Sequence, residues 1–133
     1  MVLIGILAIN IVVTLIHYSD NAVHLANYPG PAWFTPFGVM AIWIVMTLLS
    51  PICYWLYVRQ QFIAAYLCLG VYALTGLTSP GHYLYEGAQS MTVKMTILIW
   101  SDAIAGLLIV GFILWSGLIQ RECQQSPSVG KLN

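Results

Sequence analysis

Residues 2–26 read VLIGILAINIVVTLIHYSDNAVHLA, and residues 2–16 form a mostly apolar run without a charged side chain. An α-helix rises about 1.5 Å per residue, so about 20 apolar residues cross the hydrocarbon core of a bilayer. The segment therefore predicts a first membrane-spanning helix. Because no small-residue cleavage site follows the apolar run, we expect this helix to be retained rather than removed as a signal peptide.

The composition of the whole chain agrees with this prediction. Of the 133 residues, 60% are hydrophobic and 6% are charged, whereas charged residues make up about 25% of a typical soluble domain. We therefore expect a multi-pass integral membrane protein whose main partner is the lipid bilayer. The formal net charge is zero and the four Lys and Arg residues do not cluster, so we expect no nucleic-acid partner.

Three further apolar segments are separated by sequences that end helices. Proline removes a backbone donor and biases the residue before it away from helical geometry, so Pro29 and Pro31 should end the first helix. The predicted spans are residues 2–26, 36–58, 62–85 and 89–120, in one domain that covers residues 1–120, followed by a flexible polar C-terminal tail at 121–133. Pro51 should bend the second span. The third is expected to continue as an α-helix through Pro80, and the alternative is that it stops near Thr78 and leaves His82 in a loop.

Short connections between consecutive helices predict an all-α, four-helix bundle with up-down-up-down topology and both termini on the same side of the membrane. Arg59, Arg121 and Lys131 fall on that side, and only Lys94 lies near the other. The positive-inside rule then places both termini in the cytoplasm. We expect the host membrane to be a bacterial inner (cytoplasmic) membrane, with aromatic residues such as Trp43 facing lipid or the membrane interface.

The candidate functional residues are the ionisable side chains in these apolar segments, because such groups are costly in hydrocarbon. They are His17, Asp20, His24, His82, Glu86 and Asp102. At 100° per residue, the first three share one stripe of the first helix. Asp102 lies about 20 Å along the fourth helix and His17 about 14 Å below the end of the first. We therefore expect one funnel-shaped polar pocket in the extracytoplasmic half of the bundle.

A metal site is one interpretation of this pocket. Imidazole and carboxylate ligands suit zinc, iron or copper. The predicted ligands are His17, Asp20, His24, His82 and Asp102. Because His17 and His24 are two helical turns, about 10.5 Å, apart, one of them would pair with His82 and an aspartate. A haem with two axial histidines is a variant of the same hypothesis.

Two other interpretations need no metal. Hydrogen bonds among His17, Asp20 and Asp102 would hold the first and fourth helices in register, as polar side chains do in membrane bundles. The protein would then be a structural or accessory subunit of a larger membrane complex. Proton or ion transport along the same groups would require a homo-oligomer, because four spans leave little room for an alternating pathway.

A resemblance to a known family is carried by the segment His82-Tyr83-Leu84-Tyr85-Glu86-Gly87. It resembles the His-x-x-x-Glu-Gly element of the emopamil-binding family of sterol isomerases, over these six residues. The resemblance implies a multi-span bundle that isomerises a sterol double bond, with His82 and Glu86 as the acid-base pair. Apart from the resemblance, two such groups one helical turn apart can exchange protons with an apolar substrate that enters from the bilayer.

These patterns lead us to expect a small membrane binding or accessory protein. Its His and Asp pocket would hold a metal ion, a cofactor or a lipid-like molecule. One alternative is a membrane-embedded isomerase that acts on an apolar lipid through His82 and Glu86. The other is a purely structural subunit.

Overall fold

The computed structural model describes residues 2–125, which are mostly helical, with no strand among them. The α-helices in this range are α1 (Val2–Val23), α2 (Pro36–Thr47), α3 (Leu49–Val58), α4 (Phe62–Leu77), α5 (Val93–Leu114) and α6 (Glu122–Gln125). Short 3₁₀ helices cover Leu25–Asn27, Ser79–Leu84 and Ala88–Ser90, and a π-helical turn, Trp115–Ile119, extends α5. The predicted all-helical fold class is confirmed.

Three helical segments in this range are long and apolar enough to cross a membrane. They are Val2–Val23, Pro36–Val58 and Val93–Ile119, with 22, 23 and 27 residues. The remaining apolar helix, α4, has 16 residues. Length and composition therefore agree with a membrane protein.

The third predicted span is wrong in its last third, where the structure agrees with the alternative end near Thr78. We expected an α-helix from residue 62 through Pro80 to 85, but α4 ends at Leu77 and the chain continues as the 3₁₀ helix Ser79–Leu84. Pro80 has no amide hydrogen for the carbonyl four residues earlier and disfavours α geometry at Ser79. The Thr78 hydroxyl donates to the carbonyl of Leu74 at 2.7 Å and so satisfies one acceptor at the helix end.

The other helix bounds also shift from the predicted positions. α1 ends at Val23 rather than 26, and α5 begins at Val93 rather than 89. The side chain of Thr92 accepts a hydrogen bond from the amide of Met95 at 3.3 Å, an N-cap that fixes this start. The second span is interrupted at Leu48, because Pro51 offers no amide to the carbonyl of Thr47.

The helices pack side by side, with α5 against both α4 and α1, α4 against α3, and α1 against α2. Two glycines let α4 and α5 approach closely. A Cβ atom on Gly106 would lie 2.9 Å from the carbonyl oxygen of Ala73, and one on Gly76 would overlap the carbonyl oxygen of Asp102. The backbone at Asp102 therefore lies directly against α4.

Polar contacts gather at the two ends of the helix stack. At one end, here named the loop end, side chains from α1, the 28–35 loop, the 3₁₀ helix after α4 and the start of α5 contact one another. At the other, the tyrosine end, Tyr57 and Tyr66 contact Glu122. An apolar core lies between them, formed by Leu3, Leu7, Cys53, Leu69, Tyr72, Ala73, Ile109 and Phe112.

Candidate functional site

His17 of α1 contacts Asp102 of α5 in the interior of the bundle. The Nδ1 atom of His17 lies 2.8 Å from Oδ2 of Asp102, and the two side chains are 2% and 0% exposed. Because a carboxylate can only accept, the imidazole donates its proton from Nδ1. The other ring nitrogen of a neutral His17, Nε2, is then a hydrogen-bond acceptor.

The sequence of α1 explains why His17 faces inward. Its buried residues are Leu3, Leu7, Asn10, Thr14, His17 and Asn21. They recur every three or four positions, which is the spacing of one helix face. The outer face carries the large apolar residues that are exposed on this helix, such as Ile9 and Ile16. The part of this inner face toward the loop end, from Asn10 to Asn21, is therefore polar, whereas the part that carries Leu3 and Leu7 is apolar.

Ser79 completes the contact between His17 and Asp102. Its hydroxyl donates to the same carboxylate oxygen, Oδ2, and its Oγ lies 3.4 Å from Nδ1 of His17. A nucleophilic serine would instead donate its proton to the free nitrogen of the imidazole. Ser79 therefore positions the carboxylate, and the three side chains are not arranged as a hydrolase triad.

His82 has a defined orientation beside this group. Its Nδ1 donates to the carbonyl oxygen of Pro29 at 2.5 Å, so its Nε2 must accept the proton offered by Nδ2 of Asn21 at 3.3 Å. That contact fixes the Asn21 amide, whose oxygen Oδ1 is left as an acceptor. The His82 imidazole is half-buried and lies beside the ring of His17. Its ring centroid lies 5.8 Å from that of His17.

A cavity of about 300 Å³ adjoins these side chains. His17, Asn21 and His82 line it together with apolar groups such as Phe34 and Val39. Two atoms on the lining residues are buried and have no protein partner, Nε2 of His17 and Oδ1 of Asn21. Nε2 of His17 is an acceptor because the ring proton is on Nδ1, and the amide oxygen of Asn21 is always an acceptor. Two residues that line the cavity therefore carry buried, unpaired hydrogen-bond acceptors, and apolar side chains line it beside them.

Asp20 and His24 belong to a separate cluster at the loop end. One oxygen of Asp20 accepts from Nζ of Lys94 at 2.6 Å, and the other accepts from the hydroxyl of Tyr28 at 2.8 Å. His24 is 45% exposed and lies 3.6 Å from the same carboxylate. The pKa of the Tyr28 hydroxyl is raised, mainly by burial and also by its hydrogen bond to the Asp20 carboxylate. This cluster holds the loop that closes the cavity and is not part of the lining.

The five predicted metal ligands are thus divided between two places. The structure brings His17, His82 and Asp102 together, whereas Asp20 and His24 lie apart from them. Across the described part of the chain, no group of three His, Cys, Asp or Glu side chains is placed to hold a metal ion. Binding of zinc, iron or copper by these residues has no support from this geometry.

The structure also separates the predicted acid-base pair. Glu86 is exposed, and within residues 2–125 its carboxylate makes no hydrogen bond or ion pair. It lines a surface depression with Tyr83, whereas His82 lines the interior cavity. Lys94, which lies near Glu86 in sequence, pairs with Asp20 instead.

Sequence reasoning missed several residues that shape this site. Ser79 and Tyr28 were not singled out, although a serine directly before Pro80 marks a helix end. Trp43, which we expected to face lipid, is half-buried, and its indole N–H donates to the Thr14 hydroxyl at 3.0 Å. The sequence feature that could have indicated this contact is Thr14, a polar residue on the inner face of α1.

The tyrosine end holds a further cluster that the sequence did not predict. The hydroxyls of Tyr57 and Tyr66 each donate to the Glu122 carboxylate at 2.8 Å, and the Ser116 hydroxyl donates to it as well. Glu122 lies in the short helix α6, within the segment expected to be a flexible tail. The part of that prediction concerning residues 126–133 lies outside the described residues.

Comparisons of this chain with protein-family models, with curated proteins and with solved structures found no match. The arrangement of its own side chains is therefore the basis for any functional conclusion.

Proposed function

We propose that this chain is a small integral membrane protein that binds a small, mostly apolar molecule carrying a hydrogen-bond donor, such as a hydroxyl or an amine. The ligand occupies the cavity beside His17. The observation that carries this proposal is the pair of buried, unpartnered acceptors on two residues that line the cavity, Nε2 of His17 and Oδ1 of Asn21.

The chemistry of the lining defines the ligand. A buried acceptor without a partner costs about 1–3 kcal/mol, so two of them beside an open volume favour a ligand that donates. The apolar side chains Phe34, Val39 and Ile42 line the cavity and contact the apolar part of the ligand. A volume of about 300 Å³ lies at the lower end of the range for small-molecule sites.

Asp102 determines the strength of the His17 acceptor. A carboxylate that accepts from Nδ1 fixes the tautomer and makes Nε2 a better acceptor, as in histidines held by a carboxylate in enzyme and metal sites. The same pair can also take a proton from a bound donor, because the carboxylate stabilises the imidazolium that forms. Binding is therefore compatible with later proton transfer at His17.

The proposed setting is a four-helix, up-down-up-down bundle in a bacterial inner membrane. In this arrangement α4 and the 3₁₀ helix after it make the third crossing, and both termini face the cytoplasm. The cavity then lies in the extracytoplasmic half. Ile42, which lines the cavity, is 40% exposed, so a lipid-like ligand can enter between the helices from the bilayer.

The test is a gentle purification followed by native mass spectrometry and extraction of bound small molecules. We expect the wild type and His24→Ala to carry the same molecule, because His24 lies on the same helix outside the cavity. His17→Ala should lose most of it. Ile42→Trp should also lose it, since the indole fills the cavity while the contact of His17 with Asp102 stays intact.

Two results would overturn the proposal. One is a wild-type protein that carries no small molecule and copurifies with a large complex, which favours the structural subunit. The other is a bound molecule that both cavity variants retain at the wild-type level.

A further inference from the structure

A second set of buried polar side chains lies below the cavity and has no role in the proposed binding site. Asn10 and Tyr72 are both 0% exposed. Neither the amide nitrogen nor the amide oxygen of Asn10 has a hydrogen-bond partner in the protein, and the same is true of the hydroxyls of Tyr72 and Thr47. Four polar atoms are thus left unpaired inside an otherwise apolar bundle.

Contacts at the cavity place Asn10 and Tyr72 at one depth. Ser79 lies 3.4 Å from His17, and both α1 and α4 run toward the loop end. Asn10 precedes His17 by seven residues, and Tyr72 precedes Ser79 by seven. Equal numbers of residues along two helices of the same direction give nearly equal depths, about 10 Å below the histidine.

A third helix reaches the same depth. The Trp43 indole donates to Thr14 at 3.0 Å, and α2 runs in the opposite direction to α1. Asn10 lies four residues before Thr14, and Thr47 lies four residues after Trp43. Thr47 and Asn10 therefore each lie about one helical turn below the contact between Trp43 and Thr14, at the same depth in the bundle. The Thr47 hydroxyl also lies close enough to the Tyr72 phenol to interact with it, although neither completes a hydrogen bond.

The chemistry of these four atoms identifies what they bind. Buried polar groups in folded proteins are nearly always paired, either with protein or with ordered water. The amide nitrogen of Asn10 is a donor, its oxygen is an acceptor, and the two hydroxyls can do either. A metal cation would face the amide N–H and an anion would face the amide oxygen. Water, which donates and accepts and makes about three hydrogen bonds, satisfies the whole set.

We infer that Asn10, Thr47 and Tyr72 form an internal hydration site that holds ordered water in the middle of the bundle. The unpartnered Oδ1 of Asp102 extends this site toward the cavity, because Gly76, one turn above Tyr72, lies against the backbone of Asp102. Below it, the buried apolar residues Leu7, Leu69 and Ile109 separate it from the tyrosine end.

The hydration site has a consequence for the buried carboxylate. Water at this depth gives the second oxygen of Asp102 a partner that the protein does not supply. The water also gives the proton shared by His17 and Asp102 a short polar route, which ends at Tyr72 and does not reach the tyrosine end. Water would thus exchange with the loop end alone.

Radiolytic labelling by an X-ray beam tests this inference, because hydroxyl radicals form from bound water and modify the side chains beside it. The full chain in detergent is irradiated in water enriched in oxygen-18, and the labelled residues are read by mass spectrometry. We expect Tyr72 to be labelled several-fold faster than Phe112, a buried aromatic residue of the apolar core.

Matched variants show whether the label comes from this site. Asn10→Leu removes two of the polar atoms, keeps the same branched shape and should reduce the labelling of Tyr72 to that of Phe112. Thr47→Val should reduce it in part and serves if Asn10→Leu does not fold. The inference is overturned if Tyr72 in the wild type is labelled no faster than Phe112, or if both variants leave its labelling unchanged. Either result leaves ligand binding at His17 unaffected.

Discussion

Replacing Asp102 with leucine should strongly destabilise the protein, and the structure gives the size of the effect. The carboxylate accepts from Nδ1 of His17 and from the hydroxyl of Ser79, and all three side chains are buried. Asp102→Leu leaves the buried imidazole N–H without an acceptor, and it leaves the Ser79 hydroxyl only the carbonyl of Thr75 at 3.4 Å, which is long for such a hydrogen bond. At about 1–3 kcal/mol for each orphaned group, the expected loss is about 2–6 kcal/mol. That is a large part of the roughly 5–15 kcal/mol that stabilises an ordinary domain.

A triple variant distinguishes this reasoning from a general loss of packing. His17→Leu, Ser79→Ala and Asp102→Leu together remove both donors as well as the acceptor. Buried polar groups replaced as a set by apolar residues of similar size are often close to neutral in stability. We expect the triple variant to recover to within about 2 kcal/mol of the wild type, and to lose the ligand.

The assay is unfolding of the purified protein in mixed micelles of mild detergent and dodecyl sulfate, followed by the fluorescence of its five tryptophans. Glu86→Gln is the control for removal of a carboxylate, because Glu86 is exposed, and it should change the free energy of unfolding by less than about 0.5 kcal/mol. The reasoning is refuted if Asp102→Leu is as stable as the wild type. A triple variant no more stable than the single one would refute it equally.

Two further predictions concern stability measured in the same assay. Gly76→Ala should destabilise the protein by about 1–3 kcal/mol, because the added Cβ meets the backbone of α5. Gly70→Ala is the control: its Cβ meets nothing within 4 Å, and the variant should be neutral or slightly more stable. Equal effects of the two substitutions would contradict the close approach of α4 and α5. Lys94→Ala should lower the stability by less than about 1 kcal/mol, because Lys94 is 58% exposed and its ion pair is screened; a larger loss would show that the pair is effectively buried.

The contact between His17 and Asp102 is the part of the site that sequence patterns reach most directly. Helical periodicity places His17 on one face of α1, and counting the rise per residue gives it a depth similar to that of Asp102. The helix face and the depth of a residue follow from regular α-helix geometry alone, and His17 and Asp102 both lie in regular α-helices. The structure brings the two side chains together at 2.8 Å.

The parts that the sequence did not give depend on how helices end and which neighbours meet. His82 and Glu86 share a face only in an α-helix. In the 3₁₀ helix that follows Leu77 each residue turns about 120°, and Gly87, with a φ of 88°, then turns the chain away. Likewise, the contact of Asp20 with Lys94 depends on α5 packing against α1, which no local pattern specifies.

The Glu122 carboxylate matters for how this chain can be handled in the laboratory. A four-residue helix has almost no stability of its own, so α6 holds its place through the hydroxyls that converge on Glu122 from α3, α4 and the π-helical turn. Truncation at residue 121 would release two phenols and a serine at once, whereas an affinity tag or a fluorescent reporter attached after residue 125 leaves that anchor in place.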